Sequence, residues 1–362
     1  MILESLTVPA PDFERRTGWA LKPQGACKGE ACVPMPAAAR NSDGTLNIEI
    51  VADRLGMPLV RCVDDRHWGL GPESGVNGRA LTTAQAPHLV LPDLNGKLFD
   101  IASLRGKKVL LVTWASWCGC RLDGVLWAQL RERLYPQGLE IVTVAMDTGG
   151  ADAARPWLEM AKPKHPALID AAHSVGELFG VVNVPNGVWI NEQGVIVRPA
   201  EPAWPGRTPV TDMKPADIET ADMPAHLKQT QVELLDEVGK MLFETELYLE
   251  MLEDWVKNGD SSRYVLSPEQ VIERSQPRSL DVASAAAHFE LGEFLHRNNR
   301  HDLAVKHWRE AHRLQPLNWT YKRQAWNFEN PMTQAAPEIY EGSMLGDVRK
   351  YGAENYYPKI IV

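Results

Sequence analysis

Cysteine is scarce. The 362 residues contain five, an odd number, at Cys27, Cys32, Cys62, Cys118 and Cys120. That is too few to staple a chain of this length together with disulfides, so reactive thiols, a metal site or plain buried thiols remain. Basic charge is also in deficit: 38 Lys and Arg stand against 47 Asp and Glu, for a net charge of -9. This balance disfavours attraction to phosphate backbones or anionic lipid, and neither nucleic acid nor a membrane is expected as a partner. No segment approaches the run of about 18 apolar residues that a membrane span requires. Met1 to Trp19 lacks a basic start followed by an apolar core, so the expected location is cytoplasmic.

What is present reads as globular. At 44% hydrophobic, the chain can build two or three ordinary cores. Residues 1–82 are rich in Pro, Gly and turn formers, with one short candidate helix at Leu46 to Leu55, and are expected to form an irregular arm or small lobe. From residue 83 the texture changes. An extended run at His88 to Leu91 and a turn at Asn95-Gly96 precede Leu110, Leu111 and Val112, a strand dense enough to be buried on both faces. Helical spacing follows through Leu122, Leu126, Leu130 and Leu134, then a second buried strand at Leu139 to Ala145. Ala151 to Ala161 reads as a helix, Ala167 to Asp170 as a short strand, and Val188 to Val197 as a hairpin turning at Glu192-Gln193-Gly194. Alternation of this kind over residues 83–199 predicts an α/β sandwich, a mixed central sheet flanked by helices.

Between Pro199 and Pro224 six prolines interrupt any periodicity, so residues 200–224 read as a linker. Residues 225–362 are expected to be all-α. Leu227, Leu234, Leu235, Val238, Leu242, Leu249 and Leu252 predict one long amphipathic helix from Ala225 to Lys257. At residues 285–318, Leu291-Gly292, Leu295, Ala304, Trp308, Ala311 and Pro316 match the tetratricopeptide spacing over its period of about 34 residues. Gly292 and Ala304 are small where two antiparallel helices would cross, with Leu295 and Trp308 around them. One hairpin cannot bury its own face, so Ala225 to Lys257 and Trp319 to Phe328 are the expected neighbours. A protein partner on this helical region is a further expectation. His288, His296, His301, His307 and His312 crowd the hairpin without ligand spacing and read as solvated or capping residues. Gly69-Leu70-Gly71 with Gly75 fails as a nucleotide loop, because Pro72 intervenes and no strand-to-helix transition follows.

Trp114 to Cys120 reads WASWCGC, directly after the buried strand and before the amphipathic helix. Cys118 therefore falls at a helix N-terminus, where backbone N–H groups favour a thiolate. The segment APHLVLPDLNGKLFDIASLRGKKVLLVTWASWC resembles the TlpA/ResA-like branch of the thioredoxin superfamily, the redoxins, over about a third of the chain. The later run VPNGVWINEQGVIV resembles that family's cis-proline loop and hairpin. The resemblance implies a thioredoxin-like fold, no required cofactor, a protein or small-molecule disulfide or thiol as substrate, Trp117 walling the site with Trp114, and Pro185 as the cis residue against Cys118. Such a loop would leave a backbone edge for a substrate strand to pair with. Proteins of this branch are usually exported, which the cytoplasmic expectation contradicts.

The chain departs from the family's C-x-x-C at Cys118-Gly119-Cys120-Arg121. In an α-helix, at about 100° per residue, positions two apart point roughly opposite ways, so a disulfide there would need local distortion, which Gly119 permits. Arg121 stands where the second family cysteine would be and is expected to stabilise a neighbouring thiolate; Asp123 would act the other way. Cys27 and Cys32 are close enough for a local disulfide, a soft-metal site with Cys118 and Cys120, a resolving role for Cys118, or simple packing. Cys62 reads as a core thiol. The leading expectation is a thiol-disulfide oxidoreductase in which Cys118 attacks and Cys120 resolves. One alternative is a thiol peroxidase, although the Thr-x-x-Cys pattern of peroxiredoxins is absent. The other is a soft-metal or redox sensor without catalysis.

Overall fold

The computed structural model describes residues 1–29, 31–62, 66–74, 83–275 and 279–362. The chain separates into two compact units, each made of two stretches of sequence: Met1–Thr83 with Ser275–Tyr321, and Ala84–Arg274 with Lys322–Val362. The four consecutive segments expected from composition are not how the chain divides.

In the first unit the N-terminal residues are not an irregular arm. They form three small antiparallel sheets and the helices Ala10–Thr17 and Ile48–Leu55. Phe13, Trp19, Leu46, Ile48, Val51 and Leu55 are buried in a core of their own. Strands here run two to four residues, too short for alternation to register as a pattern. The expected helix at Leu46 to Leu55 is present from Ile48, with the Asn47 side chain accepting from the Ile50 N–H and Gly56 ending it in the left-handed conformation.

The C-terminal part of this unit is an antiparallel hairpin of Leu280–Arg297 and His301–Leu314. A Cβ on Gly292 would come 2.5 Å from Trp308 Nε1, so the small residue at the crossing is required. Of the expected neighbours, the helix from Trp319 packs on the hairpin, Tyr321 stacking on Phe289 with centroids 4.0 Å apart, and a further, unexpected one is a strand. Strand Trp68–Leu70 lies against Leu280–Arg297, so closely that a Cβ on Gly69 would sit 2.7 Å from the Ala287 carbonyl oxygen. The glycines of Gly69-Leu70-Gly71 serve this approach; Gly75 is outside the described residues. The histidines are also corrected. His307 and His312 are buried, and two pairs form, with Nδ1 atoms 3.0 Å apart in His288–His307 and 2.9 Å apart in His296–His301. Burial pushes His307 down to about 4 and lowers His288 as well. Both rings therefore stay neutral, and one can donate while the other accepts.

The second unit is built on a five-stranded mixed sheet of β1 (Lys108–Trp114), β2 (Leu139–Ala145), β3 (Ala167–Ile169), β4 (Asn186–Ile190) and β5 (Ile196–Pro202), in the order β3-β2-β1-β4-β5. β1, β2 and β3 are parallel, and β4 and β5 are antiparallel to their neighbours. Leu110, Leu111, Ile141 and Val142 are fully buried, as the apolar runs require of central strands. Helices Gly124–Leu134 and Gly150–Ala161 connect the parallel strands, and the turn from β4 to β5 lies at Asn191 to Gly194. This is the thioredoxin-like sandwich expected from the sequence.

The long helix expected at Ala225 to Lys257 is two, Ala225–Val238 and Thr245–Asn258. The first stops at Gly239, and a non-helical stretch follows. The second helix covers the sheet by stacking Trp255 on Trp189 of β4, centroids 4.7 Å apart. The proline-rich stretch is no free linker either: β5 runs to Pro202, Trp204 is buried, and a helix forms at Pro215–Thr220.

Candidate active site

β1 ends at Trp114, and the chain enters a 3₁₀ helix at Gly119–Asp123 before Gly124–Leu134 continues as α-helix. This local winding corrects the geometry assumed for C-G-C. Cys118 itself is the extended N-cap of that helix, so a helical angle between positions two apart does not apply to the pair. Cys118 and Cys120 are neighbours across this turn, the Cys120 backbone N–H reaching Cys118 Sγ. Both are free thiols and both are buried, Cys118 at 2% exposure. Cys118 Sγ accepts the Cys120 backbone N–H at 3.3 Å and lies 3.6 Å from the Val184 carbonyl oxygen. The Val184–Pro185 peptide is cis.

Burial alone would push the Cys118 thiol up. The Cys120 thiol, the Arg323 charge and the Cys120 N–H outweigh it and bring the group down to about 6. Cys120 goes the other way: burial, the neighbouring Cys118 sulfur and the Asp123 carboxyl all hold its proton on. Asp123, fully buried, is pushed up to about 7 by burial, with the Cys118 charge adding to the rise. One of its oxygens accepts the Thr208 hydroxyl at 2.6 Å, and among the described residues no hydrogen bond reaches the other.

The cation beside the sulfur is Arg323, not Arg121. Arg121 turns its guanidinium to the Cys118 carbonyl oxygen at 2.9 Å and over the Trp157 ring at 4.7 Å. Arg323 is fixed on three sides, donating to Gln334 Oε1, the Tyr356 hydroxyl and the Trp117 carbonyl, each at 2.8 Å, and it stacks over the Trp117 ring. Trp117 is held in turn by its indole N–H on Gln324 Oε1 at 2.9 Å. A cavity of about 480 Å³ opens over Cys118 and Cys120.

Cys27 and Cys32 are not part of this arrangement. They face each other across the hairpin of Gly25–Lys28 and Ala31–Val33 and form a disulfide with one another, which removes them as resolving thiols or metal ligands. Among the described residues no group of three or more His, Cys, Asp or Glu could hold a metal ion. Cys62 is buried, as expected of a core thiol.

Residues 82–199 match the AhpC/TSA family. Over 116 residues the chain is 29% identical to the thiol-disulfide oxidoreductase ResA of Bacillus subtilis, covering 32% of this chain and 64% of that protein. Over 127 residues it is 32% identical to the thiol:disulfide interchange protein DsbE of Yersinia pestis, covering 34% of this chain and 63% of the relative. The chain thus spans less than two thirds of the length of these relatives. Among solved structures, the thioredoxin domain of a thiol-disulfide oxidoreductase from Bacteroides vulgatus aligns at 23% identity, with a TM-score of 0.30, over 33% of this chain and 89% of that one.

The matched segment contains the sulfurs of Cys118 and Cys120, Trp117, Arg121, Asp123 and Pro185. Arg323, Gln324, Gln334, Tyr356 and Tyr357 lie outside it, and the sequence reading missed all five. One signal was available. Lys322, Arg323 and Gln324 interrupt an otherwise aromatic helix, Trp319–Glu329, and all three are buried; buried polar groups must be paired with something.

Proposed function

We propose that the protein is a thiol-disulfide oxidoreductase working through the C-G-C pair. The observation that carries this reading is the placement of Cys118 Sγ against the Cys120 backbone N–H and the Val184 carbonyl of a cis-proline loop, with one thiol brought down to about 6 and its neighbour held protonated. A low-lying thiol is the nucleophile, and a protonated neighbour is the resolving group in waiting.

The Cys118 thiolate attacks one sulfur of a disulfide. The substrate S–S bond breaks, a Cys118–substrate mixed disulfide forms, and the first substrate sulfur leaves as a thiolate and takes up a proton. Cys120 then gives its proton to Asp123, whose carboxyl lies in its electrostatic reach, and attacks Cys118 Sγ. The mixed disulfide breaks, the second substrate thiol leaves, and Cys118–Cys120 is oxidised by two electrons. A dithiol reductant returns the pair to the starting state. Arg323 holds the Cys118 charge in the reduced state that precedes attack, and Arg121 supports the turn by donating to the Cys118 carbonyl.

For the compartment, the Cys27–Cys32 disulfide supports an oxidising environment rather than the cytosol, where such pairs are kept reduced. The test of the function is dithiol-driven reduction of a disulfide. Cys118→Ser and prior alkylation of Cys118 are each expected to abolish turnover, and undiminished turnover in both would overturn the proposal.

A further inference from the structure

The proposed chemistry leaves the nature of the disulfide open, and two features of the site bear on it. The first is that the cis-proline loop is already occupied. A substrate strand would pair with the backbone around Val184, yet the Val184 carbonyl accepts the Tyr357 hydroxyl at 3.3 Å and its N–H is taken by Asn183 Oδ1 at 2.9 Å. The Asn183 side chain donates in turn to the Tyr356 carbonyl at 2.9 Å. Both tyrosines are buried, with Tyr357 edge-on to Trp204 at 4.8 Å. The C-terminal segment thus stands where an incoming peptide would lie.

The second feature is the cavity of about 480 Å³ lined by both sulfur-bearing residues. That is the size of a small-molecule site and falls short of a protein-docking face. Its lining includes Leu234, Val238 and Phe243 with Met213, Met241, Met332 and Met344, alongside polar Gln231 and Asn327. Four of the 11 methionines therefore line one cavity, and unbranched thioethers fit themselves to apolar groups of varied shape.

We infer that the substrate is a small apolar disulfide, with aromatic or branched aliphatic substituents, that enters this cavity to reach Cys118. The inference rests on the oxidoreductase reading above. The substituents bury against Leu234 and the methionines, the disulfide lies over Cys118 Sγ, and two thiols leave as Cys118–Cys120 forms. The two electrons come from the cysteine pair and no other reactant is needed for a single turnover.

The experiment uses the full chain, reduced and freed of reductant, then mixed with dibenzyl disulfide, oxidised glutathione or insulin. Formation of Cys118–Cys120 is read as the loss of two alkylatable thiols by mass, and each rate is divided by that of a free dithiol with the same compound. Dibenzyl disulfide is expected to oxidise the pair at least about tenfold faster than oxidised glutathione, the ratio that about 1.4 kcal/mol of differential binding produces, and insulin slowest of all. Leu234→Gln is expected to erode the ratio and Leu234→Met to keep it; because the ratio is taken within one protein, a fold defect cancels. Oxidised glutathione or insulin reacting as fast as dibenzyl disulfide overturns the inference and leaves the oxidoreductase reading standing. Failure of all three to oxidise the pair overturns both.

Discussion

The Tyr357 hydroxyl donates to the Val184 carbonyl at 3.3 Å, the same oxygen that lies 3.6 Å from Cys118 Sγ. A residue near the C-terminus thereby satisfies the backbone of the cis-proline loop beside the nucleophile. Tyr357→Phe removes that donor and keeps the ring against Trp204. The expected cost is about 1 kcal/mol of stability, measured by denaturant unfolding, with a gain in the rate at which insulin is reduced.

Arg323 and Arg121 give opposite expectations for the thiolate. The rate of Cys118 alkylation should rise with a midpoint near pH 6 in the wild type. Arg323→Gln removes the charge and shifts the midpoint upward by about one unit or more, each unit being about 1.4 kcal/mol. Arg121→Gln leaves the midpoint where it is, because that guanidinium faces a carbonyl and an indole ring. A shift in Arg121→Gln equal to that in Arg323→Gln would reverse the assignment.

Asp123 and Cys118 act on stability with opposite signs. Asp123 is raised from 3.8 to about 7, so between those values the folded state binds more protons than the unfolded one and stability falls as pH rises. Cys118 is lowered from 9.0 to about 6, so its contribution is present in full above 9 and is lost as pH falls through 6. Asp123→Asn should abolish the decline between about pH 4 and 7 while the Cys118 window persists, in urea unfolding across pH. It should also slow closure of the mixed disulfide by Cys120, because no carboxylate remains to take that proton.

The Cys27–Cys32 disulfide closes a short loop and should contribute roughly 2 kcal/mol by restricting the unfolded chain. The double variant Cys27→Ser/Cys32→Ser is expected to lower the unfolding midpoint and to leave single-turnover oxidation of Cys118 unchanged. Mass mapping of oxidised protein should find Cys27–Cys32 and Cys118–Cys120 and no cross-pairing; a Cys27–Cys118 or Cys32–Cys118 bridge would restore the resolving role that the hairpin pairing removes.

Much of the second unit was legible because its signals are local. Leu139 to Ala145 is apolar except at Glu140 and Thr143 and is a buried strand over those residues; Glu192-Gln193-Gly194 turns the last hairpin. In the N-terminal residues a small lobe and the helix at Ile48–Leu55 were legible, but its sheets were not, since strands of two to four residues carry no period. The break at Gly239 was passed over because Leu242, Leu249 and Leu252 continue the helical spacing on its far side, although Gly239 itself ends the first helix.

The amino-acid order determined by itself the thioredoxin-like sheet and the position of Cys118 at the end of its first strand, because each follows from neighbours within a few residues; Pro185 as the residue of the cis bond was implied by the family resemblance of its loop. Only the tertiary structure decided which cation faces the sulfur. Arg323 is far from Cys118 in the chain, and Coulomb attraction depends on distance in space, whereas Arg121, near in sequence, is aimed elsewhere by the 3₁₀ turn. The same holds for Tyr357 on the Val184 carbonyl and Asp123 raised by burial: each is set by packing, which no pattern along the chain encodes.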